Sequence, residues 1–309
     1  MSKYRILSLD GGGIRGLITA VLLDRLREAV PGWMDKIDLV AGTSTGGIIA
    51  MGLAKGATPN DVRDLYYKNG HQIFDKSWLN NLKDIGGLAG AEYDNVHLRQ
   101  ELIAFFGTTK LKELHRKVLV ASFDLDNQDP DPTKRSWKPK FFHNFEGEGS
   151  DGDCQVVDVA LYTSAAPTYF PSVDTYIDGG VAANNPSLAA LTQTQDSRII
   201  LNPRPKLEEV VLLSLGTGRS LARIEGKNLD WGLGQWARPI INILMDSVVG
   251  VADYQCRQLM GDCYARLNPT FPPEVHFGLD DVAHMDAMLK FAAAVNIDDT
   301  VSWLKQTWQ

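Results

Sequence analysis

The stretch KIDLVAGTSTGGIIAMGLAKG, residues 36–56, decides the fold. Its first part, KIDLVA (36–41), is a short apolar run that reads as a buried strand. From Ser44 to about Lys55 the apolar residues run on as a helix, and Gly56 is placed to close it in the left-handed conformation. Between the two lies Gly42-Thr43-Ser44-Thr45-Gly46, a G-x-S-x-G. A strand that becomes a helix this abruptly brings two backbones together, and Gly42 and Gly46 leave the room. Ser44 then stands on the turn, at the helix N-terminus, where unpaired N–H groups and the helix dipole favour developing negative charge. Taken alone, the same residues also read as an ordinary turn with Ser44 as a helix cap.

Outward from this turn the pattern repeats. YRILSL (4–9) reads as a buried parallel strand, followed by the glycine cluster DGGGIRG (10–16). Leu17, Ile18, Val21, Leu22, Leu23 and Leu26 recur at helical spacing until Pro31-Gly32. Strand, helix, strand, tight turn, helix indicates an α/β fold: three α/β/α layers with a central, mainly parallel sheet covered on both faces. Further helices are expected over 59–71, 95–106, 156–164, 185–193, 234–263, 286–296 and 300–308. Further strands are expected over 116–123, 137–142, 175–177, 210–215 and 265–268. Residues 75–94 read as a loop that serves as a lid or membrane-contact segment. No linker demands a boundary, so the expectation is a single domain over 1–309, with the motifs in about 4–218 and a helical part over about 219–309.

Composition narrows the function. The chain has 309 residues, 44% of them hydrophobic, and a net charge of -7. That acidity offers nothing general to nucleic acid, and charge alone would not draw the protein to an anionic membrane. The N-terminus lacks the apolar core of a signal peptide, and no apolar run could span a bilayer. A cytoplasmic protein is expected, touching a membrane only peripherally; the oligomeric state is left open. The cysteines Cys154, Cys256 and Cys263 are odd in number and widely spaced, which argues against a disulfide framework. Cys256 and Cys263 are expected on one helix as small buried hydrophobes.

The glycine cluster has competing readings. It lacks the G-K-[ST] of a P-loop. Gly11, Gly13 and Gly16 match the G-x-G-x-x-G of a nucleotide-dependent oxidoreductase, but the acid expected after a second strand is replaced by Ala41-Gly42-Thr43. The remaining reading is an oxyanion hole made of backbone N–H groups. Arg15, at a helix start where the dipole does not attract it, would hold the glycine loop or steer an anionic head group; otherwise it is a solvated arginine. For a base there are six histidines, of which only His276 is placed late enough for a Ser-His-Asp triad. Asp178 fits better. It ends an apolar run, and Gly179-Gly180 let the backbone pass close to a serine, giving a two-residue dyad. Its alternative role is a turn or cap aspartate. The acidic run DLDNQDPD (124–131) lacks the glycine and glutamate of an EF-hand loop, so no metal is expected there.

Together, D-G-G-G-x-R-G (Asp10 to Gly16), G-x-S-x-G (Gly42 to Gly46) and D-G-[GA] (Asp178 to Gly180) resemble the signatures of the patatin-like phospholipase family. The likeness covers residues 4 to about 218 and includes Ser164-Ala165-Ala166-Pro167, Phe170-Pro171 and Asn184-Asn185-Pro186. It implies Ser44 as nucleophile, Asp178 as its base, Gly11, Gly12 and Gly13 as oxyanion donors, and Arg15 as support for their loop. It further implies hydrolysis of phospholipid or lysophospholipid esters through an acyl-enzyme, with no cofactor. General carboxylesterase or neutral-lipid lipase activity and non-enzymatic lipid binding are the alternatives. Candidate walls for an acyl pocket are Trp78, Leu79, Leu82 and Leu88, and Trp231, Trp236, Ile240, Leu244 and Met245.

Overall fold

The computed structural model describes residues 3–73, 93–221, 223–226 and 230–308. The expected lid, with Trp78, Leu79, Leu82 and Leu88, lies outside them except for Tyr93 and Asp94. A six-strand path runs β4-β3-β2-β1-β8-β9, with β6 paired to β3 off it. The strands are β1 (Tyr4–Leu9), β2 (Leu39–Thr43), β3 (Lys117–Asp124), β4 (Lys138–His143), β6 (Tyr176–Asp178), β8 (Val210–Leu215) and β9 (Tyr264–Leu267). β5 (Glu146–Gly147) and β7 (Ile199–Ile200) make a separate two-stranded ribbon. β1, β2, β3, β8 and β9 run parallel to their neighbours in that central set, while β4 and β6 are antiparallel to β3.

The period of two along each strand builds the layers. Leu7, Leu9, Val40, Val118, Val120, Val211 and Leu213 face one core. It is covered by α1 (Gly16–Ala29), α2 (Thr45–Lys55), α3 (Pro59–Ile73), α4 (Val96–Phe106), α5 (Val156–Ser164) and α9 (Met285–Ala294). Ile6, Leu39, Ala41, Leu119, Val210 and Leu212 face the other. That side is closed by α7 (Ser187–Gln193) and the long α8 (Leu233–Met260). Completely burying one such aliphatic side chain contributes about 1.5–3 kcal/mol, so strands apolar on both faces demand helices on both faces. The short α6 (Gly180–Ala183) follows β6, and α10 (Asp298–Trp303) precedes a final turn over Leu304–Trp308.

Two local expectations are corrected. Residues 34–36 form a 3-10 turn rather than leading into a strand, and β2 starts at Leu39. Asp38, just before it, is tied to β1 twice, its Oδ2 accepting the Arg5 N–H at 2.7 Å and its own N–H donating to Arg5 O at 3.0 Å. Cys263 sits in a 3-10 turn after α8 and not on the helix with Cys256, and only Cys256 is buried. The late strand expected over 265–268 forms as β9 and joins the central sheet beside β8. Trp308 donates its Nε1–H to Trp33 O at 3.0 Å, and its own carbonyl accepts Arg5 Nε–H at 2.6 Å. The acidic run after β3 is a series of side-chain-capped turns, in which Asp124, Asp126 and Asp129 each accept the N–H two residues on.

Candidate active site

The sheet itself brings Ser44 and Asp178 together. β2 runs along β3 as far as the pair Thr43↔Ala121. At the next position Ser122 pairs with Asp178, the last residue of β6. β4 occupies the other edge of β3, so β6 lies in the same lane as β2 and runs against it. The two strands therefore end head-on. The residue after Thr43 and the last residue of β6 meet across the gap.

The turn at that meeting point is tight. Ser44 has φ 54° and ψ -126°, in the region that a non-glycine residue occupies only when its surroundings hold it there. A Cβ on Gly42 would fall 2.1 Å from Gly46 O, and one on Gly46 would fall 2.3 Å from Leu9 O. Both glycines are thus required by the approach of α2 to β2 and β1. The Ser44 N–H is held by Thr163 Oγ1 at 2.8 Å, and that hydroxyl donates to Ala121 O at 2.5 Å. Thr163, on α5, had no signal in the sequence reading. Gly56 closes α2 in the left-handed conformation, with φ 104°, as expected.

Asp178 is 4% exposed. Burial pushes its carboxyl up to about 6, offset in part by hydrogen bonds from the Ser44 hydroxyl and the Gly180 N–H. The Gly180 N–H reaches Asp178 Oδ1 at 2.7 Å. Gly179 runs against the backbone of Ala121, where a Cβ would lie 2.3 Å from its carbonyl oxygen.

The glycine loop borders the same cleft, with Gly12 and Gly13 in its wall. Gly11 departs from the sequence expectation of three donors, because its N–H is already given to Asn184 O at 3.0 Å. Gly13 has φ 56°, and Leu279 O packs where its Cβ would be. Arg15 turns back on the loop, its Nε–H pointing at Gly12 O at 3.4 Å, and burial holds its guanidinium below the usual arginine range. Beneath the loop, Asp10 and Arg266 form a bidentate ion pair, at 2.5 and 3.1 Å, with 4% and 5% of their side chains exposed. Burial works against the arginine's charge, but Asp10 outweighs it and holds the guanidinium above its usual range.

The cleft has a free volume of about 610 Å³ including its mouth. Ile48, Tyr66, Ile73, Leu98, Phe170 and Met245 supply its apolar walls, around Ser44 and Asp178. Of the expected wall residues on the long helix, Met245 is there. Ile240 and Leu244 are exposed, and Trp231 and Trp236 pack edge-on against each other with ring centres 5.1 Å apart. Several residues were missed. Asn184 and Thr217 brace Gly11, the Thr217 hydroxyl donating to Gly11 O at 3.1 Å. Thr217 lies in a Gly-Thr-Gly after a buried strand, which could have flagged it. Arg266, a lone charge within the strand Tyr264–Leu267, could have been suspected as a buried partner for Asp10. His276 is not among the residues that line the cleft.

A serine on a strained strand-to-helix turn, facing a buried carboxylate beside a glycine loop, defines a hydrolase of the serine esterase type. Residues 7–191 match the family model described as patatin-like phospholipase, and the chain belongs to that family. It is a lipid hydrolase acting on phospholipid or lysophospholipid esters. A "cGAMP-activated phospholipase" of Pseudomonas aeruginosa is 31% identical over 279 residues, covering 88% of this chain and 80% of that one. "Patatin-like protein 2" of Arabidopsis thaliana is 30% identical over 308 residues, covering 85% and 74%. "Protein teg" of Priestia megaterium is 25% identical over 335 residues and covers 100% of both chains.

Proposed function

We propose that Ser44 and Asp178 carry the hydrolysis as a two-residue dyad. The observation behind this reading is the head-on meeting of β2 and β6, which sets Ser44 and the buried carboxylate of Asp178 in the wall of one cleft. Asp178 takes the hydroxyl proton as Oγ attacks the ester carbonyl. The resulting oxyanion is held by the Gly12 and Gly13 N–H groups, while Gly11 and Arg15 shape that loop. Asp178 returns the proton to the leaving alcohol, leaving an acyl-enzyme. It then takes a proton from water as the water attacks, and Ser44 is regenerated. The apolar cleft takes the acyl chain.

We also infer that the protein works at the bilayer surface. Among the described residues, no helix is long and apolar enough to cross a membrane. Ile240, Ile243 and Leu244 are exposed on α8, in the same helical segment as the cleft residue Met245.

Fatty-acid release from mixed phospholipid vesicles, with chelator present, tests the dyad. Ser44→Ala and Asp178→Asn should each lower the rate by at least about 10³-fold with the fold retained. Release from either variant at the native rate would overturn the assignment. Because one relative is named for activation by cGAMP, the assay is run with and without that nucleotide. Stimulation would extend the property in that name to this chain.

A further inference from the structure

Gly180 opens α6 two residues after Asp178, and its surroundings show what lies over the carboxylate. A Cβ at Gly180 would stand 3.1 Å from Asp178 Oδ1, 3.1 Å from Asn184 Oδ1 and 3.3 Å from Met245 Cε. The carboxylate and the end of the Met245 side chain thus gather around one point. Met245 comes from α8 and is the one residue of that helix among the described residues lining the cleft. Its neighbours Leu244 and Asp246 are exposed, while Met245 is half-buried. α8 therefore turns a single flexible, apolar side chain inward, and it does so at the carboxylate. On other sides Asp178 meets backbone. Its N–H donates to Ala165 O at 2.9 Å, and Gly179 runs against Ala121. The elements around it also carry the charges of Asp10, Arg15, Arg266, Asp124, Asp158 and Asp246. None of these is a cause of its shift, which comes from burial, offset by the Ser44 hydroxyl and the Gly180 N–H.

We propose that Met245 is a positioning residue for the hydrolysis: its thioether end covers Asp178, keeps water off the carboxylate and so maintains it as an effective base. The proposal rests on the Ser44–Asp178 reading. A residue suited to this place must exclude water without giving the carboxylate a proton donor. A thioether has no N–H or O–H, so it covers the base and leaves its demand for a proton unmet. Water or an amide in the same position would stabilise the ionised form and return the carboxyl towards its ordinary range. The methionine chain is also unbranched, with three rotatable bonds, so it can make way for an acyl chain and close again behind it.

The test compares Met245→Leu, Met245→Gln and Met245→Ala in the full-length chain. The substrate is a soluble short-chain ester, so bilayer contact through α8 plays no part. Leucine keeps an apolar cover, glutamine sets an amide N–H beside the carboxylate, and alanine opens it to water. In Met245→Leu the rise of kcat/KM with pH should keep its midpoint at about 6. In the other two the midpoint should fall by about one pH unit, and kcat at pH 8 by about threefold, as befits a weaker base. A second measurement needs no turnover. Denaturant unfolding gives the stability that Asp178→Asn adds at pH 8 over pH 4 in each Met245 background. That gain should be unchanged with leucine and about half as large with glutamine or alanine. A gain unmoved by glutamine and alanine would overturn the proposal whatever the rates do, because Met245 would then keep no water from Asp178. An equal fall in Met245→Leu would overturn it too, since packing and not the apolar cover would be at work. A gain that falls while the rate midpoint stays fixed would instead sink Asp178 as the base, and the role of Met245 in hydrolysis with it.

Discussion

A carboxylate in water has its pKa near 4 and takes a serine proton poorly. Asp178 is moved up to about 6 by burial, close to where a base working at neutral pH is most effective. Two consequences follow with opposite signs. As the proposed base, Asp178 must be ionised to act, so kcat/KM should rise with pH through about 6 and level off above it. Stability goes the other way. A carboxyl with a raised folded-state pKa favours folding while it is protonated, and that contribution is lost as pH rises from about 4 through about 6. Asp178→Asn keeps an acceptor for the Gly180 N–H and removes the buried charge. It should therefore be inactive yet more stable than the native protein at pH 8, by on the order of 2–3 kcal/mol. The gain should fade below about pH 4, as read by denaturant unfolding at each pH. A gain over the native protein no larger at pH 8 than at pH 4 would mean that the carboxylate is solvated. The serine beside it carries a cost of its own, since its φ of 54° would suit glycine better. Ser44→Ala keeps that backbone preference nearly constant and is the cleaner inactive form.

Between elements, the Asp10–Arg266 pair ties the start of the glycine loop to β9. Arg266→Met alone leaves Asp10 buried and unpaired, and should cost about 3–5 kcal/mol of stability. Adding Asp10→Asn should recover much of it, and chemical denaturation of the four proteins gives the coupling. Additive losses would show that the ion pair is not what holds the loop. The same scale shows what the sequence could and could not reveal. Strand β1, the Ser44 turn and helices α2, α5 and α7 were legible because apolar periodicity and glycine punctuation are local signals. The meeting of β2 and β6 in one lane was not, because register against β3 is set by pairing between residues some fifty to eighty positions apart. Arg266, Thr217 and Leu279 escaped for the same reason. Each acts on the glycine loop from more than two hundred residues downstream. Gly42 was legible because the crowding it relieves, against Gly46, is local, whereas the contact of Gly46 with Leu9 on β1 was not.

For the molecule as a whole, a net charge of -7 gives no general attraction to anionic lipid, so contact with a bilayer would rest on apolar surface. Leu244 is 56% exposed on α8, close in sequence to the cleft residue Met245. Leu244→Asp should raise the apparent KM on vesicles roughly tenfold and leave hydrolysis of a soluble short-chain ester unchanged. Equal effects on both substrates would place Leu244 in the cleft's own packing and remove the argument for a bilayer face. The long reach of the glycine loop has one more consequence, for the protein as it is made. Leu279 O accepts the Ile14 N–H at 2.8 Å, and Leu279 also lines the cleft. Ser44 and the glycine loop are translated more than two hundred residues before Leu279, which completes the wall beside them. A nascent chain that has not yet reached Leu279 thus carries the serine without this part of its setting.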